Sequence, residues 1–250
     1  MLVIEHLAIQ LSQQTLLTDS NLTLTTGQCV GILGANGAGK STLLKTLGQH
    51  LPYQGKIYWQ QHNLAQLNWQ QRAKQLVFMP QHSQLNFAFK VKEIVEMGLM
   101  MHPNLETKYR SALIKQVMQL FEINHLAHSN YLRLSGGEKQ RVQASRTWLQ
   151  ILASSEEKLV LLDEPTSALD LKHQHSFLQA TQQLAKQHLV LIVLHDLNLA
   201  ARYCDHLILM KTGNPLRYGS TEQMLTTAHI QDLYGYQAEI HHINGQIWVR

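Results

Sequence analysis

The run Gln28-Cys29-Val30-Gly31-Ile32-Leu33 passes directly into Gly34-Ala35-Asn36-Gly37-Ala38-Gly39-Lys40-Ser41 and then into Thr42-Leu43-Leu44-Lys45-Thr46-Leu47. No other stretch restricts the fold as much. The first run predicts a short buried strand and the last a helix, and the turn between them fits G-x-x-x-x-G-K-[ST] at every fixed position. Its glycines let the backbone curl so that successive N–H groups point inward, and the helix start behind them adds partial positive charge. Such a turn cradles nucleotide phosphates. Gly34, Ala35, Asn36, Gly37, Ala38 and Gly39 form the cradle, Lys40 reaches the β- and γ-phosphates, the Ser41 hydroxyl can ligate Mg²⁺, and Thr42 donates towards the α-phosphate.

Further buried runs extend the same plan. Leu159–Leu162 and Val190–Leu194 are continuous leucine and β-branched stretches, as parallel strands covered on both faces require, and Leu207–Met210 predicts another strand. Strands alternating with helical patterns make an α/β sheet with its chemistry at the carboxyl ends of the strands. Between about residues 84 and 155 strand signals vanish, while Val91–Met97 and Ser111–Phe121 have helical spacing, so an α-helical subdomain is expected to be inserted there.

Two strand ends carry candidate chemistry. Asp163-Glu164 closes the run Leu159–Leu162. Two adjacent acids at a strand end can simply cap it and face solvent. Beside a phosphate loop, Asp163 is placed to hold Mg²⁺ through water and Glu164 to orient or deprotonate an attacking water. His195 ends the next strand in the same manner and can donate to a γ-phosphate oxygen, although a lone histidine at a strand end is commonly structural. Ser135-Gly136-Gly137-Glu138 matches the S-x-x-E capping box at the start of a helix through Arg141, Ala144 and Trp148, and its two glycines leave first-turn N–H groups bare enough to meet an anion.

The net charge of +4 over 250 residues is too weak for a nucleic-acid footprint. Cys29 and Cys204 make no disulfide framework, and Cys29 reads as a reduced, buried thiol. No stretch approaches the roughly 18–20 apolar residues of a membrane span, and the N-terminus lacks a signal-peptide plan, so a cytosolic protein docked on a membrane by its partners is expected. His173, His175, His241 and His242 lack a matching acidic or cysteine ligand set and read as solvated surface.

In order along the chain, the phosphate loop, Leu134-Ser135-Gly136-Gly137-Glu138, Leu161-Leu162-Asp163-Glu164-Pro165-Thr166, Ser167-Ala168-Leu169-Asp170 and His195 resemble the motifs of the ABC (ATP-binding cassette) ATPases. The resemblance covers nearly the whole chain. It implies one nucleotide-binding domain over residues 1–250, a P-loop NTPase (RecA-like) core with the inserted helical subdomain, using ATP and Mg²⁺. It also implies that Gln81 senses Mg²⁺ and the γ-phosphate, and that Ser135, Gly136 and Gly137 bind the γ-phosphate held by a second copy. Asp170 would lie at the seam of the resulting head-to-tail homodimer.

Two departures stand out. Family members usually carry an adenine-stacking aromatic residue upstream of the loop, where this chain has Leu11. Stacking is worth about 1–3 kcal/mol per base in nucleic-acid sites, so base selectivity is expected to be weaker. The interval from Ser135 to Asp163 is about five residues longer than usual, an excess assigned to the polar loop Ala153–Lys158, where insertions are tolerated.

A lone cassette resembles importer subunits more than exporters, which are usually fused to a membrane domain, or repair and translation ABC proteins, which need long insertions or paired cassettes. The implied partners are two copies of a multi-span permease and, indirectly, a periplasmic binding protein, with the ATPase on the cytoplasmic face of the inner membrane and no nucleic acid. Phe89–Pro103 and Tyr218–Gly235 resemble the iron-siderophore, haem and cobalamin importers. Taken whole, the chain looks most similar to vitamin B12 import ATPases, with siderophore or haem import as the alternative. A groove near Gln81, with Met100 and Met101 in it, is expected to receive the membrane subunit.

Overall fold

The computed structural model describes residues 1–11, 13–81, 85 and 87–250. The chain opens with β1 (Leu2–Leu11) and β2 (Gln14–Leu24), which pair antiparallel. Leu2, Ile4, Leu7 and Ile9 of β1 all point inward. Their spacing slips by one between Ile4 and Leu7, and the slip is absorbed by a break in register where His6 adopts φ +50°. β3 (Gln28–Leu33) follows, then α1 (Lys40–Leu47), β4 (Gln54–Trp59) and β5 (His62–Asn63). A short α2 (Trp69–Gln75), opened by an Asn68–Gln71 capping box, leads into β6 (Leu76–Met79).

The chain from β6 to the next strand is helical, with α3 (Val91–Glu96), α4 (Thr107–Leu120) and α5 (Gly136–Leu152). The expected start of the subdomain at about residue 84 lies outside the described residues. The remainder alternates β7 (Leu159–Leu162), α6 (Leu171–Ala185), β8 (Leu189–Val193), α7 (Leu197–Tyr203) and β9 (His206–Leu209). It ends in β10 (Arg217–Ser220), α8 (Thr221–Met224), α9 (Thr227–Tyr234) and the hairpin β11 (Ile240–Ile243) with β12 (Gln246–Val249).

Two main sheets result. The first is antiparallel, in the order β2-β1-β4-β5, and the second runs β10-β9-β3-β8-β7-β6 with every pairing parallel except β10 on β9. Strand β3 is therefore central, which explains its unbroken apolar run. Side chains alternate between faces, so Val30 and Ile32 enter the core shared with the antiparallel sheet and α1, while Cys29 and Leu33 enter the core under the helices. β7 and β8 divide the same way, with Leu161 and Leu191 on one side and Leu162 and Ile192 on the other. Cys29 and Cys204 are both buried and free.

The helical subdomain is held to the core by rings. Trp148 of α5 stands edge-on to Phe121 at the end of α4 and to Phe177 of α6, each at 5.0 Å between centroids. Such geometry adds to the area these rings bury. Trp148→Ala removes the central ring and is expected to cost about 3–5 kcal/mol of stability, read from urea unfolding followed by far-ultraviolet circular dichroism. A loss below about 1 kcal/mol in that assay would show that the rings do not couple the two parts.

Candidate active site

The phosphate loop leaves the carboxyl end of β3 between β9 and β8. Met210, directly after β9, donates its N–H to the Leu33 carbonyl at 2.8 Å, which brings its own carbonyl against Gly34. A Cβ on Gly34 would stand 2.2 Å from that oxygen, so no side chain fits there. Gly39 turns the chain into α1 at φ +94°, a conformation that suits glycine, and α1 then begins with Lys40, Ser41 and Thr42. The Lys40 ammonium is buried and donates to the Gly34 carbonyl at 2.7 Å and the Ala35 carbonyl at 3.0 Å. Burial lowers its pKa, against the attraction of Glu164 and Asp163. This positive charge is held by neutral carbonyls rather than spent on a carboxylate partner, so it can be transferred to phosphate oxygens.

Ser41 Oγ donates to Asp163 Oδ1 at 2.8 Å. Asp163 is 2% exposed, and burial raises its pKa while the Ser41 bond pulls the other way. A hydroxyl and a carboxylate converging beside a phosphate cradle suit Mg²⁺, which takes one or two protein oxygens and fills its shell with phosphate and water. No cluster of three or more histidine, cysteine or acidic side chains that could cage a metal occurs among the described residues. The Ser41 hydroxyl and Asp163 carboxylate beside the loop fit Mg²⁺ that completes its shell with phosphate oxygens and water.

Glu164 is gripped from both sides. Gln81 Nε2 donates to Oε2 at 2.6 Å, and His195 Nε2 lies 2.6 Å from Oε1. Its backbone has φ +48°, rare for a side chain of this size, and its carbonyl accepts from Ser167 Oγ at 3.0 Å and Gln140 Nε2 at 3.4 Å. Each carboxylate oxygen keeps a lone pair free after accepting one bond. A cavity of about 120 Å³ opens beside it, lined in part by Ser167, His195 and Asp196, with room for water.

The structure therefore gathers the phosphate loop, Asp163, Glu164, Gln81 and His195 in one place. It leaves Ser135, Gly136, Gly137 and Asp170 elsewhere. Ser135 and Glu138 close a capping box on each other, and a Cβ on Gly137 would stand 2.9 Å from the Ala168 carbonyl. Asp170 caps α6 through the His173 N–H at 2.9 Å. None of these bonds reaches the chain's own phosphate loop, and Ser135 and Gly136 are exposed.

Several expectations need correction. His173 is not free surface: it is mostly buried, against Asp170 at 2.7 Å and within 3.6 Å of Glu122, and His175 meets the Tyr203 hydroxyl at 2.7 Å. The groove next to Pro80 and Gln81, about 460 Å³, is lined by Trp69, Arg72, Phe78, Arg146 and Gln150, and Met100 and Met101 are not in its wall. Leu11 ends β1 half exposed. One contact escaped the sequence reading altogether: the Gly34 N–H donates to the Tyr234 hydroxyl at 3.1 Å. No local pattern marks it, because the partners lie 200 positions apart.

The family described as ABC transporter matches residues 17–167. The hemin import ATP-binding protein HmuV of Pseudomonas putida is 41% identical over 94% of this chain and 92% of its own. That of Vibrio cholerae is 41% identical over 93% and 90%. A solved metal-chelate type ABC transporter in an inward-facing conformation superposes with a TM-score of 0.79 at 29% identity, over 100% of this chain and 95% of that one. A dimeric ATP-binding cassette bound to ADP and Pi superposes at 0.76 with 23% identity, over 88% and 99%, and speaks for the fold alone. These relatives overturn the expected likeness to vitamin B12 import ATPases, together with cobalamin import as the function, and support the haem alternative. The segments behind the vitamin B12 expectation, Phe89–Pro103 and Tyr218–Gly235, resemble siderophore, haem and cobalamin importers alike, so they do not separate one cargo from another.

Glu164→Gln keeps the size and the hydrogen-bonding reach of the side chain but removes its basicity. It is expected to leave MgATP affinity within a few-fold of the parent and to lower turnover by about 10²-fold or more. Steady-state phosphate release near the parent rate would refute the role as base.

Proposed function

Because this chain belongs to the ABC transporter family, we propose that it is the ATP-hydrolysing subunit of an importer carrying haem across the bacterial inner membrane. The observation that carries the cargo assignment is the run of relatives 38–41% identical, over 93% or more of this chain, that are hemin import ATP-binding proteins. The chemistry itself follows from the family and the loop: the chain binds ATP with Mg²⁺ and hydrolyses it.

In the proposed working unit two copies pack head to tail. Ser135, Gly136 and Gly137 of one copy close over the γ-phosphate lying on Gly34–Thr42 of the other, with Asp170 at the seam. The exposed start of α5, where the capping box takes the Ser135 and Glu138 N–H groups but Gly136 and Gly137 place no side chain over theirs, supports this reading. Mg²⁺ held near Ser41, Asp163 and Gln81 would neutralise phosphate charge. Glu164 takes a proton from water as the water oxygen attacks phosphorus and the bond to the β–γ bridging oxygen breaks. His195 steadies the charge that develops on the γ-phosphate oxygens. Gln81 touches Glu164 and lies beside Pro80 of the groove, so a membrane subunit seated against Trp69 and Phe78 would feel the state of the site directly.

Two copies of a multi-span permease are the proposed occupants of those grooves, fed by a periplasmic binding protein that never touches this chain. No helix among the described residues is long and apolar enough to cross a membrane, and the proposed place of the ATPase is the cytoplasmic face, held by the permease.

The deciding experiment reconstitutes the chain with its permease in liposomes and adds binding protein loaded with haem, vitamin B12 or an iron-siderophore. Haem alone is expected to stimulate ATP hydrolysis and to accumulate inside. Uptake driven by either other cargo and not by haem would end the haem assignment. A separate expectation concerns the base. With no ring at Leu11, GTP should compete better than in relatives that carry one, and Leu11→Tyr should tighten ATP binding about fivefold or more, with the ATP-to-GTP ratio rising. An unchanged ATP-to-GTP ratio in competition binding would remove Leu11 from the adenine site.

A further inference from the structure

The segment after β10 has no part in the chemistry above, yet it reaches the active site. Tyr234, the last residue of α9, accepts the Gly34 N–H at 3.1 Å and is largely withdrawn from solvent. Gly34 is the first residue of the phosphate loop, and its peptide is held on two sides. Its N–H is taken by Tyr234, and its carbonyl by the Lys40 ammonium at 2.7 Å.

Those two bonds have different fates. With three protons to share, Lys40 can meet the β- and γ-phosphate oxygens only by giving up at least one of the Gly34 and Ala35 carbonyls and loosening its hold on the other. As the Lys40 bond to Gly34 weakens, the Tyr234 hydroxyl is the other side-chain tether of that peptide among the described residues. The tether therefore matters most when nucleotide is bound.

The position of Tyr234 is itself built. Two residues earlier, Asp232 pairs with both Lys211 and Arg217. Lys211 directly follows Met210, whose carbonyl packs on Gly34 and whose side chain approaches Gly39. α9 is thus pinned to the same strand end that supports the loop. Gly235, at φ +69°, stops the helix one residue after Tyr234. The chain then returns through the hairpin, where Asn198 of α7 exchanges two amide bonds with Val249, at 2.8 and 3.1 Å. α7 is the helix that begins after His195 and Asp196.

We propose that Tyr234 is a positioning residue of the ATP site: its hydroxyl fixes the first peptide of the phosphate loop when Lys40 turns to the nucleotide, and the segment from α8 to β12 is the brace that holds it there. This rests on the assignment of the phosphate loop to ATP and is independent of the cargo.

Tyr234→Phe keeps the ring and its packing and deletes only the acceptor, leaving the Gly34 N–H without its partner. The full chain is measured beside its parent for MgATP affinity, thermal midpoint and amide hydrogen exchange across residues 33–40, with and without MgATP. The expected result is MgATP binding weaker by about five- to thirty-fold, with the thermal midpoint of the empty protein nearly unchanged. Exchange at Gly34 should be faster, and the difference from the parent larger with MgATP bound than without. A purely structural role would lower the thermal midpoint and leave affinity and the nucleotide-dependent difference alone, which would overturn the proposal. Asp232→Asn loosens α9 from the far side while keeping the hydroxyl, and is expected to shift affinity and Gly34 exchange in the same direction by less. Parent-like values in both variants would also overturn it. Absence of MgATP binding in the parent would instead refute the phosphate-loop assignment, so the two failures are told apart.

Discussion

The close approach of Gly34 to the Met210 carbonyl is the contact on which the rest of this structure depends. It requires β3 to lie between β8 and β9, because only there does the end of β9 reach across to the loop. That order in turn requires strands buried on both faces, with alternate side chains feeding two separate cores. Any Cβ at Gly34 would push the loop off the sheet, and with it the start of α1, Lys40 and the Ser41–Asp163 pair. The site is a consequence of how tightly two strand ends pack.

Around that anchor the groups are arranged so that charge is held back until it is needed. Lys40 rests on carbonyls and Asp163 on a hydroxyl, while Glu164 is shared between Gln81 and His195. The left-handed backbone at Glu164 belongs to the same economy. A strained residue persists only where its surroundings over-determine it, and Ser167 and Gln140 both bind its carbonyl. Gln140 belongs to α5, the helix capped by Ser135, so the glycine-bearing start of that helix and the backbone of Glu164 are joined through one helix. Gln81 makes the corresponding link towards the groove at Pro80.

How much of this was legible beforehand varied with the range of the interaction. The strand at Gln28–Leu33, the runs that became β7 and β8, and the helix through Trp148 were readable because burial on both faces or on one stripe leaves a local pattern. The antiparallel sheet was not read, because the irregular register around His6 breaks the alternation that would have revealed β1. The cargo was misjudged because phosphate and metal chemistry is common to relatives with different substrates, and no residue of this chain need touch what is transported.

By itself the sequence determined the chemistry. A glycine loop between strand and helix, ending in lysine and serine, has few other uses, and the acids and histidine at the next strand ends are the groups that local sequence marks as candidates for activating water. Tertiary structure alone decided the grip of Gln81 and His195 on Glu164, the separation of Ser135–Gly137 from the chain's own loop, and the tether from Tyr234 to Gly34. The physical reason is distance along the chain. Backbone propensity and side-chain periodicity report on neighbours a few residues apart, whereas a hydrogen bond between groups 200 residues apart exists only after the sheet has ordered its strands and both cores have closed.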